Sequence, residues 1–133
     1  MSLTKKSSYG LIAALELAAN ISESPLSASA IAAKYALPTP FVEKILHQLK
    51  LAGLVKAKKG RGGGYALAVA PASTSVLRIL EALDEPLDLV GCLGRDSDCR
   101  LTPICPTKSA WVKLDQRFKA LLDSLTLSDL LER

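Results

Sequence analysis

Large rings are scarce in this chain of 133 residues: two Phe, three Tyr and one Trp make up 5% of it. Leu, Ile, Val and Ala must therefore do most of the packing, and at 49% hydrophobic residues there are enough of them for a core. Histidine is rarer still, with His47 alone. No paired carboxylates stand near a histidine, and no nucleophile motif or cofactor fingerprint is present, so an enzyme is the least supported class. Long apolar runs are also missing. The stretch beginning at Leu11 is interrupted by Glu16 and Asn20, too short for a membrane span and without a cleavage site. A cytoplasmic protein is expected, in a reducing compartment where thiols stay free. The size fits one domain, or a small domain with an appended helix.

Charge is present but unevenly placed. Residues 1–70 carry nine Lys/Arg against three Asp/Glu, while residues 71–133 carry eight against ten. The excess positive charge lies wholly in the front half, which points to a polyanionic partner there.

Apolar residues Tyr9, Ile12, Leu15 and Ala19 recur at helical spacing and predict a first helix over 9–20. A second helix is expected from an N-cap at Ser27 to Lys34 or Tyr35. After the tight turn Ala36-Leu37-Pro38, Thr39 is the expected N-cap of a third helix, with Pro40 at its first position. That helix buries Val42, Ile45, Leu46 and Leu49, shows Glu43, Lys44, His47 and Lys50, and ends at Gly53. Two short helices about a tight turn, the second with an exposed polar face, form a helix-turn-helix, whose second helix fits the major groove.

Residues 54–68 then read strand, glycine turn, strand, with Val55 and Ala57 alternating with Lys56 and Lys58. Lys56, Lys58, Lys59 and Arg61 surround the tip. A basic hairpin in this position is a wing that meets phosphates or the minor groove. A phosphate loop is excluded, because no Gly-Lys-Ser/Thr closes the glycine run. A helix over 74–84 follows, stopped by Glu85-Pro86.

All three cysteines fall in the next stretch, at Cys92, Cys99 and Cys105, among glycines, aspartates and a proline. Such a stretch is a loop. An odd number of thiols makes a poor disulfide framework but a good soft-metal site, open to Zn, Cu(I) or an iron–sulfur cluster. Beyond it, Trp111, Leu114, Phe118, Leu121 and Leu125 recur at intervals of three and four, which is the seam of a helix that pairs with its own copy. Thr126 to Glu132 predicts a short closing helix. The expected fold is thus mainly α with a two-stranded β wing: a winged helix-turn-helix unit over 1–84, a cysteine-bearing loop over 85–105, and a dimerisation helix with closing helix over 106–133.

The start Leu3-Thr4-Lys5-Lys6, the block Gly53-Leu54-Val55 with Gly60-Arg61-Gly62-Gly63-Gly64-Tyr65, the Glu81-Ala82-Leu83 helix, the three-cysteine loop with its following tryptophan, and the closing Thr126-Leu127-Ser128-Asp129-Leu130 together resemble the Rrf2 family of bacterial winged-helix transcription regulators. The resemblance covers essentially the whole chain. It implies a homodimer on pseudo-palindromic promoter DNA, sensing iron–sulfur status, nitric oxide or redox state through a [2Fe-2S] or [4Fe-4S] cluster. It implies DNA contacts from Thr39, Pro40, Phe41, Glu43 and Lys44 on the third helix and from Lys59, Gly60 and Arg61 on the wing. It implies Cys92, Cys99 and Cys105 as cluster ligands. Two positions depart from the family pattern: Lys108 stands where a histidine ligand is found, and Ser8 where an acidic ligand is found. Asp96, Asp98, Ser8, a backbone group, a small thiol or water are the candidates for the fourth ligand. Two other readings fit the residues: a DNA-binding regulator with a zinc or bare-thiol switch, and a cluster carrier or protein-partner module that binds no DNA.

Overall fold

The computed structural model describes residues 3–90, 93, 100–101 and 103–132, with Glu23 described through its backbone. Six α-helices and one hairpin follow in the order α1 (Lys5–Ala19), α2 (Ala28–Tyr35), α3 (Thr39–Leu51), β1 (Val55–Lys58), β2 (Gly64–Leu67), α4 (Val76–Ala82), α5 (Lys108–Ser124) and α6 (Leu127–Leu131). The mainly helical architecture with a two-stranded antiparallel wing is the one the sequence predicts.

Helix α1 is the hub, and its small residues explain why. Gly10, Ala13, Ala14 and Ala18 are buried along it, which lets neighbouring helices approach closely. At Gly10 the approach is extreme, since a Cβ there would lie 2.2 Å from Leu83 Cδ1. The core around α1 takes in Ile31 and Ala32 of α2, Val42, Ile45, Leu46 and Leu49 of α3, and Ile79 of α4. Helix α1 starts at Lys5, a turn earlier than the apolar spacing predicts, because its polar first turn carries no periodic signal.

The turn between α2 and α3 closes through Ala36, whose left-handed backbone (φ 54, ψ 43) caps α2. Ser27 caps the other end as expected, its hydroxyl accepting from the Ala30 amide. At α3 the expectation is corrected: the N-cap is Pro38, and Thr39 is already helical. The Pro38 carbonyl accepts from both Phe41 and Val42 N–H at 3.1 Å, so the helix begins on that carbonyl rather than on a threonine side chain.

The hairpin pairs Val55 with Leu67 and Lys58 with Gly64. A third segment joins its edge, because Leu26 and Tyr65 exchange both backbone hydrogen bonds at 2.9 and 2.7 Å. Gly64 is required there, since a Cβ would lie 2.4 Å from the Leu26 carbonyl oxygen. The wing is thereby fixed to the α1–α2 connection as well as to α3.

The closing helix returns to the first unit. Leu127 is fully buried in the core around α1. The Leu127 amide donates to the Thr74 carbonyl at 2.9 Å and the Val76 amide to the Leu125 carbonyl at 2.8 Å. Thr126 and Asp129 form a reciprocal capping box that starts α6. Helix α5 is therefore held at its C-terminal end by a segment anchored in the winged unit. Deleting buried methyl groups at such a site leaves a cavity, so Leu127→Ala is expected to cost about 2–5 kcal/mol, read by chemical denaturation of the full chain.

Candidate nucleic-acid interface and cysteine segment

Helix α3 buries Val42, Ile45, Leu46 and Leu49 and turns Pro40, Glu43, Lys44, His47 and Lys50 outward. Two of the family-implied contact residues differ from these. Thr39 is half-buried, and the half-buried Phe41 ring meets Tyr9 of α1 edge-on, with centroids 5.5 Å apart at 88°. Phe41 thus ties α3 to α1 while Glu43 and Lys44 reach solvent. Lys59, Gly60 and Arg61 are all exposed at the hairpin tip, where Gly60 takes a positive φ of 94. Lys56 and Lys58 are exposed on β1 beside them.

A buried acid that sequence reading treats only as an interruption of an apolar run ties α2 to α1 beside this face. Glu16 of α1 is 8% exposed. Its carboxylate accepts from Lys34 Nζ at 2.7 Å, from Asn20 Nδ2 at 2.9 Å and from the Tyr35 hydroxyl. Burial alone would raise the carboxyl pKa, but the hydrogen bonds from Lys34, Tyr35 and Asn20 and the lysine's charge outweigh it and hold the pKa below the ordinary value. Lys34 is raised in turn, chiefly by its hydrogen bond to Glu16. A second buried acid, Glu85, takes the Thr4 hydroxyl at 2.5 Å and the Thr4 amide at 3.3 Å, which ties the end of α4 to the start of α1.

The cysteine segment is described only in part. Cys92 and Cys99 lie outside the described residues, as do Asp96 and Asp98. Cys105 is half-buried with a free thiol, 3.3 Å from Thr107 Oγ1 at the start of α5. The Thr107 hydrogen bond, further backbone hydrogen bonds and the nearby Lys108 charge lower its pKa below the ordinary thiol value. That favours thiolate, the form that binds soft metals. Among the described residues, no group of three or more His, Cys, Asp or Glu is gathered for a metal. Ser8 is exposed on α1 and Lys108 is half-buried.

Helix α5 presents an apolar face. Trp111, Leu114 and Leu121 are 37%, 49% and 60% exposed, Leu125 caps the helix at 41%, and Phe118 is half-buried beside them. Along one edge of that face the helix meets its own chain through Leu122, one turn beyond Phe118, which packs with Val76, Leu80 and Leu87. Asp115, one of the charged residues that lie off the apolar seam, is buried. It accepts from the Leu89 amide at 3.2 Å and pairs with Lys119 at 3.0 Å. No sequence signal distinguishes it from its charged neighbours.

A basic hairpin beside a helix-turn-helix with an outward polar face defines a winged-helix DNA-binding regulator. The chain belongs to the Rrf2 family, described as iron-dependent transcriptional regulators, which matches residues 3–133. It is 42% identical over 130 residues to a Synechocystis sp. protein provisionally named an HTH-type transcriptional regulator, covering 98% of this chain and 87% of that one. It is 31% identical over 131 residues to the HTH-type transcriptional regulator IscR of Aliivibrio salmonicida, covering 98% and 77%. Among solved structures, T. potens IscR superposes with a TM-score of 0.76 at 34% identity, covering 99% of this chain and 87% of that chain. CymR, the global cysteine regulator of B. subtilis, superposes with 0.77 at 31% identity, covering 98% and 95%. These relatives are transcriptional regulators, not enzymes. Among the described residues no helix is long and apolar enough to cross a membrane.

The folded-state pKa of Glu16 is depressed, so its contribution to stability is complete above the ordinary carboxyl value of 4.5 and is lost as pH falls through the lower folded value. Glu16→Gln is therefore expected to melt at a lower temperature than the wild type at pH 7. The gap should close as pH falls below that value, as read by thermal denaturation across a pH series.

Proposed function

We propose that the protein is a homodimeric cytoplasmic regulator that binds pseudo-palindromic promoter DNA and changes its affinity when its cysteine segment captures an iron–sulfur cluster. The observation that carries the reading is the pairing of two features in one chain: an outward basic wing and polar helix face, and a cysteine, Cys105, standing just ahead of a helix with an exposed apolar face. IscR relatives, and the description of the family as iron-dependent, support the sensing half.

On the DNA side, Glu43 and Lys44 are the residues of α3 placed to reach base edges, with Pro40 and Thr39 at the helix start and Phe41 setting its tilt against Tyr9. Lys59 and Arg61 meet phosphates, with Gly60 letting the backbone approach. Two copies joined through Trp111, Leu114, Phe118, Leu121 and Leu125 would carry two such heads, whose separation must match half-sites about 34 Å apart or a multiple of that.

Cys92, Cys99 and Cys105 would hold the cluster. When bound, it supplies a site that gains or loses electrons or ligands, and three thiolates leave one position for a weaker donor. The chain's own part is to hold Cys105 beside Thr107 at the head of α5 and to fix the segment between the winged unit and that helix.

Selection from a pool of random-sequence duplexes, followed by anisotropy titration of the selected duplex with metal-free and anaerobically reconstituted protein, tests the whole reading. The two states should differ in affinity roughly 5–150-fold, the range of an allosteric coupling of about 1–3 kcal/mol. Equal affinity in both states, or no selection above background at low salt, would overturn it.

Lys59→Ala and Arg61→Ala should weaken binding to all duplexes alike and reduce the slope of log K against log salt by about 0.9 per lost phosphate contact. Changes at Glu43 and Lys44 should instead alter which sequence is selected. Replacing Cys92, Cys99 and Cys105 together by Ser should abolish absorbance at roughly 320–450 nm after reconstitution and iron and sulfide retention with it. Zinc retention by the wild type without that absorbance would favour the zinc alternative.

A further inference from the structure

The chain leading up to residue 90 is tethered to α5. Leu87 is buried with Val76 and Leu80. The next residues make polar contacts to the helix: Asp88 meets Lys119 Nζ at 3.3 Å, and the Leu89 amide donates to Asp115 Oδ1 at 3.2 Å. Asp115 is the centre of this tether. It is 8% exposed on a helix whose other residues are all more accessible. An ionised carboxylate tolerates that burial only while its oxygens are taken, here by Leu89 and Lys119.

The position of Asp115 on α5 gives this tether a reach beyond the loop. Trp111, Asp115 and Lys119 are four residues apart and form one row along the helix, next to the row of Leu114, Phe118 and Leu121. If the stretch entering Cys92 changes course and withdraws the Leu89 amide, the carboxylate loses a partner while still buried. Turning toward water relieves it, and on a rigid helix that rotation carries Trp111 and the neighbouring apolar row with it.

We propose that Asp115 is a positioning residue that makes the setting of the apolar face of α5 depend on the course of the chain entering Cys92. This inference rests on the reading above, that the face joins two copies and that the thiols capture a group. The competing idea is that Asp115 only staples residues 87–90 to the helix for stability.

The test uses the full chain, metal-free and after reconstitution with ferrous iron and sulfide. Asp115→Asn keeps an acceptor for the Leu89 amide, Asp115→Ala removes it, and Leu89→Pro removes the donor while leaving α5 untouched. Amide exchange at Leu89 in the metal-free protein reads the tether, and sedimentation equilibrium reads the dimer dissociation constant in each state. The wild-type constant should differ between the two states by at least about fivefold. Asp115→Asn should keep most of that difference, and Asp115→Ala and Leu89→Pro should both erase it. Exchange at Leu89 should quicken by about an order of magnitude in Asp115→Ala.

Faster exchange with an undiminished difference in the dimer constant would leave Asp115 a staple and overturn the proposal, and so would unchanged exchange. If Asp115→Ala fails to fold, Leu89→Pro decides through the dimer constant alone, because proline has no amide to exchange: an undiminished difference between the two states would leave Asp115 a staple and overturn the proposal. A wild-type dimer insensitive to reconstitution would overturn the transmission even where DNA affinity changes. A monomeric wild type would overturn the dimer reading itself.

Discussion

A single buried carboxylate fastens the second helix to the hub helix on which the whole fold is built. Glu16 sits in the middle of the hub helix and gathers Lys34, Tyr35 and Asn20 around it, so α2 cannot rotate against α1 without stripping a buried charge of its partners. The remaining reading surface hangs from α2. The left-handed turn at Ala36 leads directly into α3, Phe41 leans on Tyr9, and the Leu26–Tyr65 bridge fastens the wing to the segment just before α2. The outward cations of α3 and the hairpin thus stand on elements joined to a helix that Glu16 fastens to α1.

The scarcity of aromatic residues finds its structural counterpart in α1. Small side chains along that helix permit close contact with α3, α4 and α6, and branched aliphatic residues fill the spaces. In such packing the fit depends on small residues remaining small, as the contact of Gly10 with Leu83 makes plain. The returning α6 completes the core with Leu127, so the winged unit draws on residues from near both ends of the described chain.

Much of this was readable from residue order. Helical spacing marks α1, α3 and α5, the cap at Ser27 marks α2, alternation marks the hairpin, and the polar face of α3 and the basic tip follow from those periods. Where reading fell short, the cause is either a neighbouring backbone group that does a side chain's job or a partner distant in sequence. Thr39 looks like a cap because threonine usually is one, yet the carbonyl of Pro38 already serves the first amides. Asp115 looks solvated because its helix is amphipathic, and only the fold reveals Leu89 lying over it. Leu127 belongs to a seven-residue closing pattern that says nothing of the Thr74 carbonyl waiting for its amide. Residue types at short range dictate local shape, whereas buried polar pairs across 18 to 26 positions are set by tertiary placement.

The chain's one indole stands on the exposed face of α5, one helical turn from Asp115 and well away from the reading surface's own cations in sequence. Its emission is therefore a private optical gauge of that face, unmixed with signal from any other tryptophan. Solvent shielding, rotation of the helix or approach of a second copy would each leave a separate mark on its colour, polarisation or collisional quenching, with no dye attached and no residue replaced.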